Sequence, residues 1–414
     1  MADQNTALPS MSGKTVLISG LGIAGPTLAF WLKSAGFRPT LVEHASAPRG
    51  GGYVIDFWGL GYDIAERMGL REEIDCIGYH FKELRVVDRR GRRVSGFGTR
   101  VFQELTGGRY VTIARSRLSR LLVDRIADST EIIFSDEVEA LREHADGVEA
   151  RLRRGGTREF DLVIGADGLH SKVRRLIFGP QPQFEKHLGY VVAAFETTGY
   201  RPRTEDTYVM FSEPGRMVGR VALRDDRTLF LFVFTSDLAA GADLGDLANQ
   251  NLASQKAMLR ARFADGGWEC RQILDALEGS HDLYFDRVSQ IRMPKWSQGR
   301  IALVGDAAYC VSLLAGQGSA LAMTGAYVLA GELARANGRH AEAFANYENR
   351  LRAFMESKQQ AAERFAGAFA PKTHWGLFVR NLVIKAAAIP GVARLTFGRD
   401  ILDRLTLPDY RWEA

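Results

Sequence analysis

TVLISGLGIAGPTLAFWLKSAGFRPTLVEH, residues Thr15–His44, carries a complete strand–turn–helix–strand pattern. Val16 to Ser19 is a short apolar strand. Gly20, Gly22 and Gly25 form G-x-G-x-x-G, and a helical spacing through Leu28, Leu32 and Ala35 stops at Gly36. A second strand, Pro39 to Val42, ends in Glu43, with His44 behind it. In such a unit the first glycine permits the tight turn. The second lets backbone approach a pyrophosphate, and the third lets helix pack on strand. The helix opened by Ile23 and Ala24 then offers free N–H groups to the phosphates. Glu43 lies about 20 residues beyond the turn, where a carboxylate can accept hydrogen bonds from a ribose. The pattern predicts a dinucleotide site, against the plainer alternative of a structural glycine turn. The carboxylate favours an unphosphorylated ribose, hence FAD or NAD(H) over NADP(H).

A nicotinamide dehydrogenase would continue in alternating strand and helix. Here a glycine-rich crossing follows, ASAPRGGGYVIDFWG, then DRRGRR at Asp88–Arg93, which reads as a hairpin bend at Gly91. RSRLSRLLVDRIA, from Arg115, is helical, with Leu118, Leu121, Leu122 and Ile126 on one face. FDLVIGADGLHSKVRR is an apolar strand ending in Asp167-Gly168, with Ser171 and Arg174 beyond. GRIALVGDAAY is another, ending in Gly305-Asp306. From Ala307 to Gly331 no residue is charged. The length would suit a membrane span, but Gly316, Gln317, Gly318 and Ser319 interrupt it, and such a break leaves backbone groups unsatisfied in lipid. The stretch instead predicts a strand end, a Gly-rich loop, and a helix from about Ser319 buried on every face.

In these segments the sequence resembles the FAD-dependent aromatic hydroxylases, the class A flavoprotein monooxygenases typified by p-hydroxybenzoate hydroxylase. The tetracycline-inactivating and antibiotic-tailoring branches look nearer. The resemblance covers most of the chain through G-x-G-x-x-G with Glu43, ADGLHSKVR, and RIALVGDAA followed by GQG. The R-x-x-L-x-x-x-L pattern from Arg115 through Leu118 and Leu122 also matches. It implies that Asp306 binds the ribityl chain of FAD. Gly316, Gln317, Gly318 and Ser319 would approach the pyrimidine end of the isoalloxazine, where reduced flavin is negative and a helix N-terminus is positive. Gly20, Gly22, Ile23, Ala24, Gly25, Glu43, His44, Arg115 and Asp167 complete the expected cofactor site. The sequence departs from the family pattern at Tyr309, often His, and at Gly325, usually Asp. It also lacks a proline before the Gly-rich turn and the usual Asn after it. Cys310 is expected to be a buried bystander, since no cation or histidine is near it in sequence.

The expected fold class is α/β, with a Rossmann-like FAD-binding domain, an antiparallel-sheet substrate domain and a C-terminal helix. Residues 1–75, 103–180 and 286–367 would form the FAD domain, 76–102 and 181–285 the substrate domain, and 368–414 a bridging helix and tail. DTYVMF, RMVGRVAL and RTLFLFVF are rich in β-branched and aromatic residues, as strands should be. Phe211, Arg220 and Phe232 are expected to face the substrate. In the last unit Phe378, Leu382, Val383 and Ile384 crowd one side of a helix that Pro390 should stop.

The resemblance implies a monooxygenase that hydroxylates an aromatic or polyketide-like small molecule with molecular oxygen through a C4a-hydroperoxyflavin. NADPH or NADH would be the transient reductant, and FAD would carry the chemistry without a protein nucleophile. A second G-x-G-x-x-G is absent, as in the family. Two other readings stay open: a non-hydroxylating FAD dehydrogenase or NAD(P)H oxidase, and a non-enzymatic nucleotide-binding regulator. A formal net charge of +5, without aromatics between the arginines of DRRGRR, does not suggest a nucleic-acid partner. Three widely spaced cysteines without C-x-x-C suggest neither a disulfide framework nor a metal site. The N-terminus reads as a short disordered lead, not a signal peptide. A cytoplasmic monomer or homodimer, without integral membrane contact, is expected.

Overall fold

A computed structural model describes residues 13–48, 53–100, 103, 106–239, 251–387, 405–410 and 412. The N-terminal lead, part of the glycine-rich crossing, and Pro390 with most of the tail lie outside them.

The first strand, Thr15–Ser19, is central to a six-stranded sheet. It pairs in parallel with Arg38–Glu43 on one side and Leu162–Gly165 on the other. Glu131–Phe134 extends one edge, and Ile301–Leu303 with the short Ser297–Gln298 forms the other. All three motifs therefore leave the same sheet from the carboxyl ends of adjacent parallel strands. That is where open α/β sheets bind ligands.

The uncharged stretch becomes the helix Gly318–Arg335, with every residue from Ser319 to Ala334 buried. It lies among the helices Ala24–Ser34, Leu60–Arg67 and His340–Phe369. Gly61 permits one of these approaches: a Cβ there would lie 2.4 Å from the Cα of Ala320. No helix among the described residues is long and apolar enough to cross a membrane.

A seven-stranded sheet stands over the carboxyl ends of the first. The strands Thr207–Glu213, Arg216–Ala222 and Arg227–Thr235 match the sequence reading. The pairing is antiparallel except where Thr207–Glu213 lies parallel to Glu83–Val87. Glu83–Val87 is itself half of the expected hairpin, with Gly91 at φ +77°. The edge strand Tyr284–Ile291 runs through the boundary expected at 286, because its ladder with Glu185–Thr198 continues to Ile291.

Side chains alternate across this sheet. Phe195, Phe211, Phe230, Phe232 and Phe234 face outward, against Leu259, Phe263, Ile273 and Leu277 of two covering helices. Tyr190, Val192, Met210, Met217 and Val233 face inward, toward Leu314 and Ala366. Beside them, Ala194, Val221 and Leu229 join Phe81, Tyr53, Tyr208 and Tyr284.

The C-terminal unit touches both layers with different parts. The helix His374–Ala387 lies on the strand Arg93–Gly98, where Ser95 Oγ donates to the Asn381 carbonyl and Arg380 donates to Ser212 Oγ. The apolar face read from sequence is mostly turned outward: Phe378, Leu382 and Val383 are exposed, and only Ile384 joins a core cluster. The tail returns to the first layer. Tyr410 fills the space left by Gly331 and donates to Glu332 Oε1 at 2.6 Å.

Candidate cofactor and substrate site

The three N-terminal glycines divide their work. A Cβ on Gly25 would lie 2.0 Å from the Gly20 carbonyl oxygen, and one on Gly20 would lie 2.5 Å from the Ala166 carbonyl oxygen. These two are packing glycines. At Gly22 the nearest atom would be Nη2 of Arg115, at 3.6 Å, so the space over its backbone is open beside a guanidinium. The helix Ala24–Ser34 begins there with Ile23 at its N-cap. Ser119 Oγ donates to the Gly22 carbonyl at 3.0 Å, buttressing the loop from the helix Arg115–Ala127. Sequence reading passed over Ser119 because a lone serine carries no spacing signal.

Glu43 Oε2 accepts from the Leu21 N–H at 2.9 Å and Oε1 from the Ala45 N–H at 3.0 Å, with His44 Nδ1 3.0 Å away. Burial alone would raise its pKa. Bonds from His44, Ala45 and Leu21 outweigh burial and hold it at about 2. The carboxylate therefore clamps the turn, while Oε2, with Leu21 N–H alone on it, keeps a further acceptor lone pair.

Asp167 is turned inward on its own loop. Its carboxylate accepts from Ser171 Oγ and from the N–H groups of Lys172 and Val173, at 2.8 and 3.0 Å, capping the helix Lys172–Ile177. It shapes the loop more than it offers free oxygens. Arg174, fully buried, ties that loop to the next motif by donating to the carbonyls of Leu169 and Ala307, at 2.6 and 3.0 Å. Burial lowers its pKa against the opposing charge of Asp167. His170 reaches the other layer, with Nε2 3.0 Å from Asp286 Oδ2.

Asp306 opens the single turn Asp306–Tyr309. Burial raises its pKa, and the charge of Arg115 opposes this. A Cβ on Gly318 would meet nothing nearer than Asp306 Oδ1, at 3.8 Å, and one on Gly316 nothing nearer than Trp58, at 3.9 Å. Gly316 also has φ +67°, a left-handed conformation that favours glycine. Gln317 is the N-cap of the long helix, and Ser319 lies in its first turn. Gly22, Gly316 and Gly318 thus keep backbone open at both ends of one cleft, with Arg115 and Asp306 between. The donors and the space fit a dinucleotide. Cys310 is buried, and burial, then the charge of Asp306, push its thiol pKa well above the ordinary value, which disfavours the reactive thiolate.

The three residues expected to face the substrate lie on the side of the second sheet turned away from the first layer. Phe211 and Phe232 lie on the outer face, where Phe232 meets Phe263 edge-on at 4.9 Å. Arg220, also on that face, donates to Glu269 Oε2 at 2.5 Å and to the Pro202 carbonyl at 2.6 Å. One residue of register exchanges the faces of a strand, and both faces here are apolar, so alternation could not choose between them. On the inner face Tyr208, Tyr284, Leu231 and Phe81 pack together, with Tyr53 5.3 Å from Tyr284, centroid to centroid. Asp56, also unmarked in sequence, stands nearby: one oxygen accepts from Tyr110 Oη at 2.7 Å and Thr112 Oγ1 at 2.6 Å. Its surroundings raise the carboxyl pKa by desolvation.

The profile described as "FAD binding domain" matches residues 14–362. The chain belongs to this FAD-binding family. It is 36% identical over 407 residues to a flavin-dependent monooxygenase of Legionella longbeachae serogroup 1 (strain NSW150), covering 95% of this chain and 98% of that protein. A second flavin-dependent monooxygenase, from an unknown prokaryotic organism, is 35% identical over 353 residues, 84% of this chain and 88% of the other. Among solved structures, tetracycline destructase Tet(51) superposes with a TM-score of 0.80 at 31% identity, over 96% of this chain and all of that one. The protein is an FAD-dependent monooxygenase of the aromatic-hydroxylase type, and FAD is its cofactor. In this flavoprotein the missing second fingerprint and the roofing sheet take their meaning from the family.

Proposed function

We propose that this flavoprotein hydroxylates an aromatic or polyketide-like small molecule, with NADPH or NADH as the transient reductant. Two observations support the reading: backbone left open at Gly316 and Gly318 beside Asp306, and an aromatic cluster of Tyr53, Tyr208, Tyr284 and Phe81 on the inner side of the second sheet. The likeness to a protein named for destroying tetracycline, a polyketide, supports the substrate class. A cytoplasmic location, where reduced nicotinamide nucleotides are supplied, fits it.

The geometry supports the following residue roles. Gly22 and the helix N-terminus behind Ile23 and Ala24 receive the pyrophosphate, with Arg115 supplying opposite charge. Glu43, with His44 at its side, has acceptor capacity left for the adenosine ribose. Asp306 accepts from the ribityl hydroxyls. The Gln317–Ser319 helix start holds negative charge at the pyrimidine edge. Bound FAD supplies the redox and oxygen chemistry. The aromatic cluster orients an electron-rich ring and excludes water.

The test is turnover under labelled dioxygen with tetracycline and simple phenols, selecting compounds that stimulate NADPH or NADH oxidation. One labelled oxygen atom in the product is expected. Stimulated oxidation that yields only hydrogen peroxide and unlabelled compound would overturn the hydroxylation reading. Asp306→Ala should weaken FAD binding by about 1.5–3 kcal/mol, the usual worth of hydrogen bonds to a charged group. Unchanged affinity would refute the ribityl assignment.

A further inference from the structure

Two departures from the family pattern, Tyr309 and Gly325, meet in space. A Cβ at Gly325 would lie 1.7 Å from Tyr309 Oη and 2.9 Å from its Cζ. Gly325 sits inside the buried helix Gly318–Arg335, where glycine costs helix stability, and it is not among the positive-φ residues. Backbone conformation therefore does not call for glycine there. The phenol of Tyr309 does, because it occupies the place of any side chain.

The rest of the seat is equally specific. Tyr309 is 3% exposed, and its ring centroid lies 4.6 Å from that of Trp296. Tyr347 Oη lies 3.2 Å from Tyr309 Oη and 3.1 Å from the Leu303 carbonyl oxygen. Leu303 ends the strand that delivers Gly305 and Asp306. Tyr309 ends the turn that Asp306 begins, and its N–H bonds back to the Gly305 carbonyl at 3.0 Å. One side chain thus locks the Asp306 turn to its own strand through Tyr347, and to the Gly318–Arg335 helix through Gly325.

We propose that Tyr309, seated on Gly325 and Tyr347, is the positioning residue that sets Asp306 against the helix start at Gly318. The inference rests on the reading of Asp306 as a flavin ligand. It explains two departures as one exchange of volume: a longer side chain at 309 and none at 325.

The test measures FAD affinity by flavin fluorescence, with the visible spectrum of bound flavin and the melting temperature of each FAD-stripped protein as controls. Gly325→Ala should raise the dissociation constant at least tenfold. In a Tyr309→His background, whose ring is shorter, the same alanine should change affinity by less than threefold. Equal factors in both backgrounds would overturn the proposal. Should Gly325→Ala not fold, Tyr309→Phe decides. It should weaken FAD two- to fivefold and alter the spectrum of the bound flavin, with a melting temperature lowered by no more than a few degrees. Wild-type affinity in that variant would overturn the proposal. Asp306→Ala separates the two levels. If it binds FAD like wild type, the site reading fails and the inference with it. If it weakens binding while the Tyr309 and Gly325 variants do not, only the positioning role fails.

Discussion

Replacing Glu43 with glutamine should destabilise the cofactor-free protein in a pH-dependent way. The carboxylate accepts Leu21 N–H and Ala45 N–H through different oxygens, and the side chain is only 11% exposed. Glutamine has a single acceptor oxygen, so one of the two N–H groups loses its partner. The carboxyl pKa falls from 4.5 to about 2 on folding, and at 1.36 kcal/mol per unit this is a stabilisation of about 3 kcal/mol at pH 7. Because the folded pKa is the lower one, the contribution is complete above 4.5 and is lost as pH falls toward 2. By pH 3 less than half of it should be left. Urea unfolding of stripped wild type and Glu43→Gln, from pH 7 to pH 3, reads the difference directly. A difference independent of pH, or below about 0.5 kcal/mol at pH 7, would refute the clamp. The same variant, given excess FAD, should keep the wild-type preference between NADH and NADPH. A swing toward NADPH would place the nicotinamide nucleotide at the N-terminal fingerprint.

The glycines should separate by role. Gly25→Ala should destabilise the stripped protein itself, whereas Gly22→Val should leave its melting temperature within a few degrees and abolish FAD binding, as titrations of both would show. Phe232→Ala should cost about 3–5 kcal/mol of stability by opening a cavity on the outer face, yet leave KM for a substrate unchanged. Tyr208→Ala should raise KM; the reverse pattern would restore the abandoned face assignment. Tyr410→Phe leaves Glu332 short of a donor and should cost about 1–3 kcal/mol in urea unfolding, with FAD affinity unaffected.

Much of the site was legible because its chemistry is backbone chemistry. A turn that must approach a phosphate needs glycine at fixed spacing, so Gly20, Gly22 and Gly25 mark themselves in any sequence. Asp306 and the Gly316–Ser319 turn are marked in the same way. The aromatic cluster was not legible. Phe211 and Phe232 look as apolar as Tyr208 and Met210, and a strand buried on both faces has no polar side to reveal its register. Asp56 and Ser119 carry no local pattern at all. Their partners, Tyr110 with Thr112 and the Gly22 carbonyl, lie 54 to 97 residues away in the chain.

By itself the sequence determined the class of fold, the dinucleotide cleft and the burial of an uncharged helix, because spacing and local backbone geometry dictate each of these. Only the tertiary structure decided which face of the roofing sheet turns toward the first layer and that Asp167 commits its carboxylate to its own helix. It also decided that Tyr309 and Gly325 are one unit. Those outcomes depend on which surfaces pack together across the chain, and packing is a property of shapes in contact, not of residues in order.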